Sequence, residues 1–134
     1  IQALSLTGIT STNIRKQKLP WNTGSFPARD IGVFVTPVTE QINPQYNTKE
    51  RFGYGVQVTA FQDSNGDQTT NLDRLLGWRN SISAAFRMQL LAGVSEVHDT
   101  HVEPGPVIDP ESFRGNFDAE TLVLRFFADK ARGV

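Results

Sequence analysis

Apolar and polar residues alternate most sharply over residues 50–62, ERFGYGVQVTAFQ. Phe52, Tyr54, Val56, Val58 and Ala60 are interleaved with Arg51, Gly53, Gly55, Gln57 and Thr59. A period of two predicts a strand with one face on a core and a second face that is small and polar. Gly53 and Gly55 leave room for something to approach that second face closely. Residues 30–38, DIGVFVTPV, are a shorter β-branched run closed by Pro37, apolar on both faces, which predicts a central strand. Residues 120–128, ETLVLRFFA, predict another strand, with Leu122, Leu124 and Phe126 on one face and Val123, Arg125 and Phe127 on the other. A fourth, less regular strand is predicted over residues 94–102, and a polar loop or hairpin end over residues 39–49.

The period changes over residues 71–91, NLDRLLGWRNSISAAFRMQLL. Leu72, Leu75, Ile82, Phe86 and Leu90 recur at helical spacing, with Trp78 and Ala85 widening the stripe on one side and Leu76 on the other. Asp73, Arg74, Asn80, Ser81, Arg87 and Met88 cover the opposite face. Asn71 suits the N-cap, as do Thr69 and Thr70, and Gly93 is a natural stop. Gly77 costs about 1 kcal/mol against alanine, so packing has to hold this helix. Residues 1–29 follow no clean period and read as an N-terminal arm or partial helix, leaving residues 30–134 as a single domain. The element order predicts an α+β fold: a small mixed or antiparallel sheet with one long helix packed across it as a two-layer sandwich. Leu75, Ile82 and Phe86 are expected to pack on Tyr54, Val56, Val58, Leu122 and Leu124.

Composition narrows the chemistry. The chain has 134 residues, a net charge of −1 and no cysteine, which leaves no disulfide framework, thiolate nucleophile or cysteine zinc site. There is no overall basic field for nucleic acid. No run reaches the 18 apolar residues that a membrane-spanning helix needs. The charge is nevertheless uneven. Residues 1–29 carry Arg15, Lys16, Lys18 and Arg29 and no acid, for +4, whereas residues 96–120 carry seven acids against Arg114, for −6. Such polarity suits a head-to-tail oligomer. Arg15, Lys16, Lys18, Trp21, Phe26 and Phe113 are then the candidate contact residues, and Glu103, Asp109 and Glu111 the candidates to line a channel.

Catalytic or ligand-binding patterns are sparse. His98 and His101, with Glu96 and Glu103, are the one candidate cluster, but their odd separation on a strand predicts opposite faces, so no metal site, cofactor or enzymatic centre is expected. Asp63, Asn65 and Asp67 imitate the start of a calcium loop that fails at Gln68 and Arg74, where glycine and glutamate are required. Arg79 projects from the apolar stripe. Either its methylenes lie on the core with the head in water, or it pairs with a carboxylate across a subunit boundary.

The order of segments is itself informative. It runs DIGVFVTPV, FGYGVQVTAF, a turn, LDRLLGWRNSISAAF with Trp78 and Arg79, VEPGPVIDPESF, and a terminal ETLVLRFFADKARG. Over residues 30–132 this resembles small neck proteins of tailed bacteriophages, in particular the tail terminator (tail completion) group. The resemblance implies an α+β sandwich assembled as a hexameric ring in the virion neck, with neither catalytic residues nor cofactors. The ring would cap the tail tube protein, meet the head connector or head-closure protein, and let DNA pass without sequence-specific binding. A head-closure or minor tail protein, or a small metal-dependent enzyme, are the alternative readings.

Overall fold

In the computed structural model, which describes residues 1, 4–16, 31–46, 48–87, 93–105 and 117–131, the alternating runs become long strands. The elements are β1 (Ile14–Lys16), β2 (Ile31–Tyr46), β3 (Lys49–Asp63), α1 (Gln68–Phe86), β4 (Val97–Pro104) and β5 (Phe117–Ala131), with a 3-10 turn at Ser11–Asn13. They form a five-stranded sheet in the order β1-β2-β3-β5-β4. All neighbours are antiparallel except β1 and β2. The fold is mixed α+β, and the sheet, expected to be small, is the dominant part.

The strand expected over residues 30–38 continues through the expected loop to Tyr46. Two prolines are carried along, Pro37 opposite Val56 and Pro44 opposite Glu50. A proline has no N–H to give to the ladder, so it fits where the strand owes β3 no hydrogen bond. Val56 and Glu50 fall in the same phase of an antiparallel pair, and the register shift between Val38 and Gln41 is what brings Pro44 into that phase. β3 and β5 pair without interruption from Lys49 opposite Ala131 to Asp63 opposite Phe117.

One face of the sheet packs on α1. Its buried cluster comprises Val33, Val58, Ala60, Leu122 and Leu124 from the sheet, Leu75, Trp78 and Ile82 from α1, and Leu6 from the N-terminal segment. Phe86 and Val56 lie at its margin, and Tyr54, expected beneath the helix, is exposed. Phe86 instead meets Phe126 edge to face. Trp78 is the largest of the helix's buried side chains and draws the buried face to its own side. Leu72 and Leu76, expected in the stripe, therefore turn outward. The helix also starts earlier than expected. Asp67 is the N-cap, its Oδ2 accepting from the Thr70 backbone N–H at 2.8 Å. Asn71 lies a turn inside, where its carbonyl accepts from Gln62 Nε2 at 2.7 Å and its Nδ2 donates to the Asn65 carbonyl at 3.1 Å. Asp63 and Asp67 thus spend their oxygens on turn and cap hydrogen bonds. α1 ends at Phe86, before Gly93.

Residues 4–16, expected as an arm or partial helix, belong to the fold. Leu6 is buried in the core, Thr7 presents its carbonyl to Trp78 Nε1–H at 3.0 Å, and Asn13 Nδ2 donates to the Ile31 carbonyl at 3.1 Å. β1 then pairs parallel to β2, Ile14 opposite Val33. Among the described residues no helix is long and apolar enough to cross a membrane.

Candidate interaction surfaces

The face of the sheet turned away from α1 carries a row of paired charges. Arg125, nearly buried, donates from Nε to Glu103 Oε1 at 2.7 Å and from Nη1 to the Thr39 carbonyl at 3.1 Å. His101 Nε2 lies 2.8 Å from Asp99 Oδ2 and its ring meets Phe127 edge to face. Asp129 receives Arg51 Nε at 3.0 Å and lies 3.2 Å from His98 Nε2. The Arg51 hydrogen bond is the main reason that the Asp129 carboxyl titrates below its ordinary value. The groups that approach Gly53 and Gly55 come from this chain. A Cβ on Gly53 would press on the Phe127 ring at 3.0 Å, and one on Gly55 would run into Val38 Cγ2 and the Arg125 guanidinium. The glycines let Arg125 and Phe127 lie across β3.

The two histidines do not point apart. β4 has a register shift between Val97 and Asp99, so His98 is the extra residue and reaches Asp129, the next residue on the same face of β5 as Phe127, which His101 touches. The bulge reverses the parity on which the expectation of opposite faces rested. Each imidazole nevertheless has its own carboxylate, and among the described residues no three His, Cys, Asp or Glu side chains gather as metal ligands. Both pairs are well exposed, so each contributes under about 1 kcal/mol. Replacing both histidines by glutamine should leave the circular dichroism spectrum and the melting temperature nearly unchanged. A collapse of the fold together with a stoichiometric metal in the wild-type protein, measured by mass spectrometry of the metal content, would contradict this.

Arg79 does not snorkel freely, because its guanidinium is held within the chain. Its Nη2 donates to the Gly105 carbonyl at 2.7 Å, and its Nη1 lies 3.7 Å from Glu120 Oε2 of the same chain. That ion pair is too long for a hydrogen bond, and neither Glu120 carboxyl oxygen has a hydrogen-bond partner. Burial pushes the Glu120 carboxyl up to about 8, against the pull of Arg79. Glu120 is therefore largely neutral at pH 7, and Glu103 is paired with Arg125. Part of the −6 counted over residues 96–120 does not act as a free acidic field.

Glu103, expected to line a channel, pairs with Arg125 and keeps 46% of its side chain exposed. Lys16 is exposed, and β1 carries Arg15 beside it. Lys18, Trp21, Phe26, Asp109, Glu111 and Phe113, together with Met88 and Leu90 of the expected helix, lie outside the described residues. A cleft of about 330 Å³ opens between the N-terminal segment and α1, lined by Ser5, Leu6 and Thr7 on one side and by Thr70, Arg74, Gly77, Trp78 and Ser81 on the other. At the far end of the sheet, Lys130 Nζ donates to Tyr54 Oη at 2.7 Å and lies 5.1 Å from the Phe52 ring centre. Phe52 and Tyr54 are stacked beneath it. No family model and no curated protein matches the chain.

Proposed function

We propose that the chain is a non-enzymatic structural subunit of the neck of a tailed phage or phage-like particle. It would form a ring, hexameric as in the tail terminator group it resembles, that caps the tail tube and meets the head connector, with DNA passing through. Assembly would take place in the host cytoplasm and the finished ring would sit in the virion. The sequence supports this by its order of segments. The structural observation that carries the proposal is the overhang of the sheet. α1 reaches only to Phe86, which meets Phe126, the residue opposite Tyr54, whereas β3 begins five residues earlier at Lys49. At about 3.3 Å per residue the sheet runs on some 16 Å past that point. Such a molecule offers different surfaces at its two ends, as a subunit with two different neighbours requires. One helix on a broad sheet also fits the two-layer sandwich of that group.

The pairing of Glu103 with Arg125 and the neutral state of Glu120 move the weight of the contact away from bulk charge. Exposed pairs are each worth about 0.2–1 kcal/mol, so apolar area must supply the rest, and Trp21, Phe26 and Phe113 remain candidates. Mass photometry and negative-stain imaging should show closed rings, alone or beside the tube protein. Assembly should weaken with salt without disappearing, and Trp21→Ala or Phe113→Ala should weaken it at every ionic strength. A chain that stays monomeric at all concentrations, even with a tail tube end to cap, would refute the ring.

A further inference from the structure

Pro37, Pro44 and Pro104 are the prolines among the described residues, and all three stand on strands with an open side there. β4 ends the sheet, and β1 covers β2 only from Val33 to Val35. In an antiparallel sheet the N–H and C=O of one residue point to the same side, and successive residues alternate. The Gly105 N–H donates to the Thr121 carbonyl at 2.9 Å. His101 and Glu103 therefore point to β5, while Thr100, Val102 and Pro104 point away from it. Carried across the register, the same alternation aims Leu122 and Leu124 at β3, Val56 and Glu50 at β5, and Pro37 and Pro44 away from β3 toward the open edge. Each proline thus sits where its strand would otherwise offer a donor to a newcomer. Thr100 agrees with this phase: its outward N–H is taken by Asp99 Oδ1 of the same strand at 2.8 Å. Each edge also carries a bulge, at His98 on β4 and between Val38 and Gln41 on β2.

We propose that these residues form a guard that keeps the sheet from being extended by a strand of a second copy of this chain. Strand addition draws its affinity from a run of main-chain hydrogen bonds. Two obstacles break that run on each edge: Pro104 and the capped Thr100 on β4, Pro37 and Pro44 on β2. Val102 and Ile42 are outward donors that each stand next to a blocked position. Ile42 is 56% exposed, and an apolar residue on a strand edge invites pairing with another chain. The guard does not depend on the ring reading. If the ring forms, its neighbours meet through side chains and loops, and no sheet runs on from copy to copy.

Two double variants test it, one for each edge: Asp99→Ala with Pro104→Thr, and Pro37→Thr with Pro44→Thr. The three prolines are exposed, and threonine suits a strand, so both variants should keep the circular dichroism spectrum of the wild type. Each should self-associate at least tenfold more strongly by analytical ultracentrifugation. In the associated form the amide gained at position 104 or 44, and its neighbour at Val102 or Ile42, should become protected from hydrogen exchange. Association no stronger than that of the wild type, or stronger association that leaves these amides unprotected, would overturn the guard. The wild type gives a reading that needs no substitution. Its Val102 and Ile42 amides should exchange at rates independent of protein concentration, whether or not rings form, and protection that grows with concentration would show that the edges pair despite the prolines.

Discussion

Trp78→Ala is expected to destabilise the protein by about 3–5 kcal/mol. A domain of this size has a total stability of roughly 5–15 kcal/mol, so the variant stands near the limit of folding at all. The size of the effect comes from where the indole lies. It is almost wholly buried in the cluster that joins α1 to β3 and β5, and its Nε1–H donates to the Thr7 carbonyl at 3.0 Å. Alanine would leave a cavity between helix, sheet and N-terminal segment, and would free the backbone that places Leu6 in the core. Urea unfolding followed by circular dichroism measures the loss. Hydrogen exchange supplies a second readout: the Ile9 and Asn13 amides, which donate to the Leu6 and Thr10 carbonyls, should lose protection together. Leu76→Ala is the control, because that side chain is turned to solvent. It should cost under about 1 kcal/mol, and equal losses in the two variants would contradict the orientation of the helix.

The contrast between Trp78 and Leu76 also shows how far the sequence can be read. The period of β3 was legible because both of its faces are simple: large apolar residues beneath the helix, small and polar ones opposite. The pairing partner β5 followed from the same signal. The helix was legible as an element, but its rotation was not. A stripe of leucines on both sides of Trp78 permits several rotations, and the bulkiest side chain together with Arg79 decided among them. Register was lost wherever a bulge intervened. One extra residue at His98 placed both histidines on one face, where opposite faces were expected, and another between Val38 and Gln41 let β2 run on past Pro37, read as its end, and through Pro44 in the stretch read as a loop. Gly53 and Gly55 signalled a close approach, yet a glycine does not say who approaches. Arg125 and Phe127 come from a strand more than sixty residues away. The charge count missed Glu120 for a similar reason: composition has no term for burial.

Glu120→Gln should make the protein more stable at alkaline pH and leave it little changed at pH 5. In the unfolded chain this carboxyl ionises near its ordinary value of 4.5, whereas in the fold burial holds it up to about 8. Between these two values the folded state binds the proton and the unfolded state does not. Stability therefore falls as pH rises through this window, and levels off above the folded value. At 1.36 kcal/mol for each tenfold step in proton activity, the loss is about 5 kcal/mol at most, and relaxation around an ionised Glu120 would reduce it. Asp67 and Asp129, both held below their ordinary values, act in the opposite sense, with stability gained as pH rises through the acid range below 4. They lie outside the window. Urea midpoints from pH 5 to 8.5 should accordingly fall for the wild type and stay much flatter for Glu120→Gln, which keeps the shape of the neutral acid without its proton. Parallel curves for the two proteins would mean that Glu120 is ionised throughout and held by Arg79. Its deprotonation in the wild type also bears on Gly105, whose carbonyl shares the Arg79 guanidinium. An ionised carboxylate 3.7 Å away competes for that group, so hydrogen exchange at the Gly105 amide, which donates to the Thr121 carbonyl at 2.9 Å, should quicken beyond the ordinary base catalysis as pH passes about 8, and should not do so in Glu120→Gln.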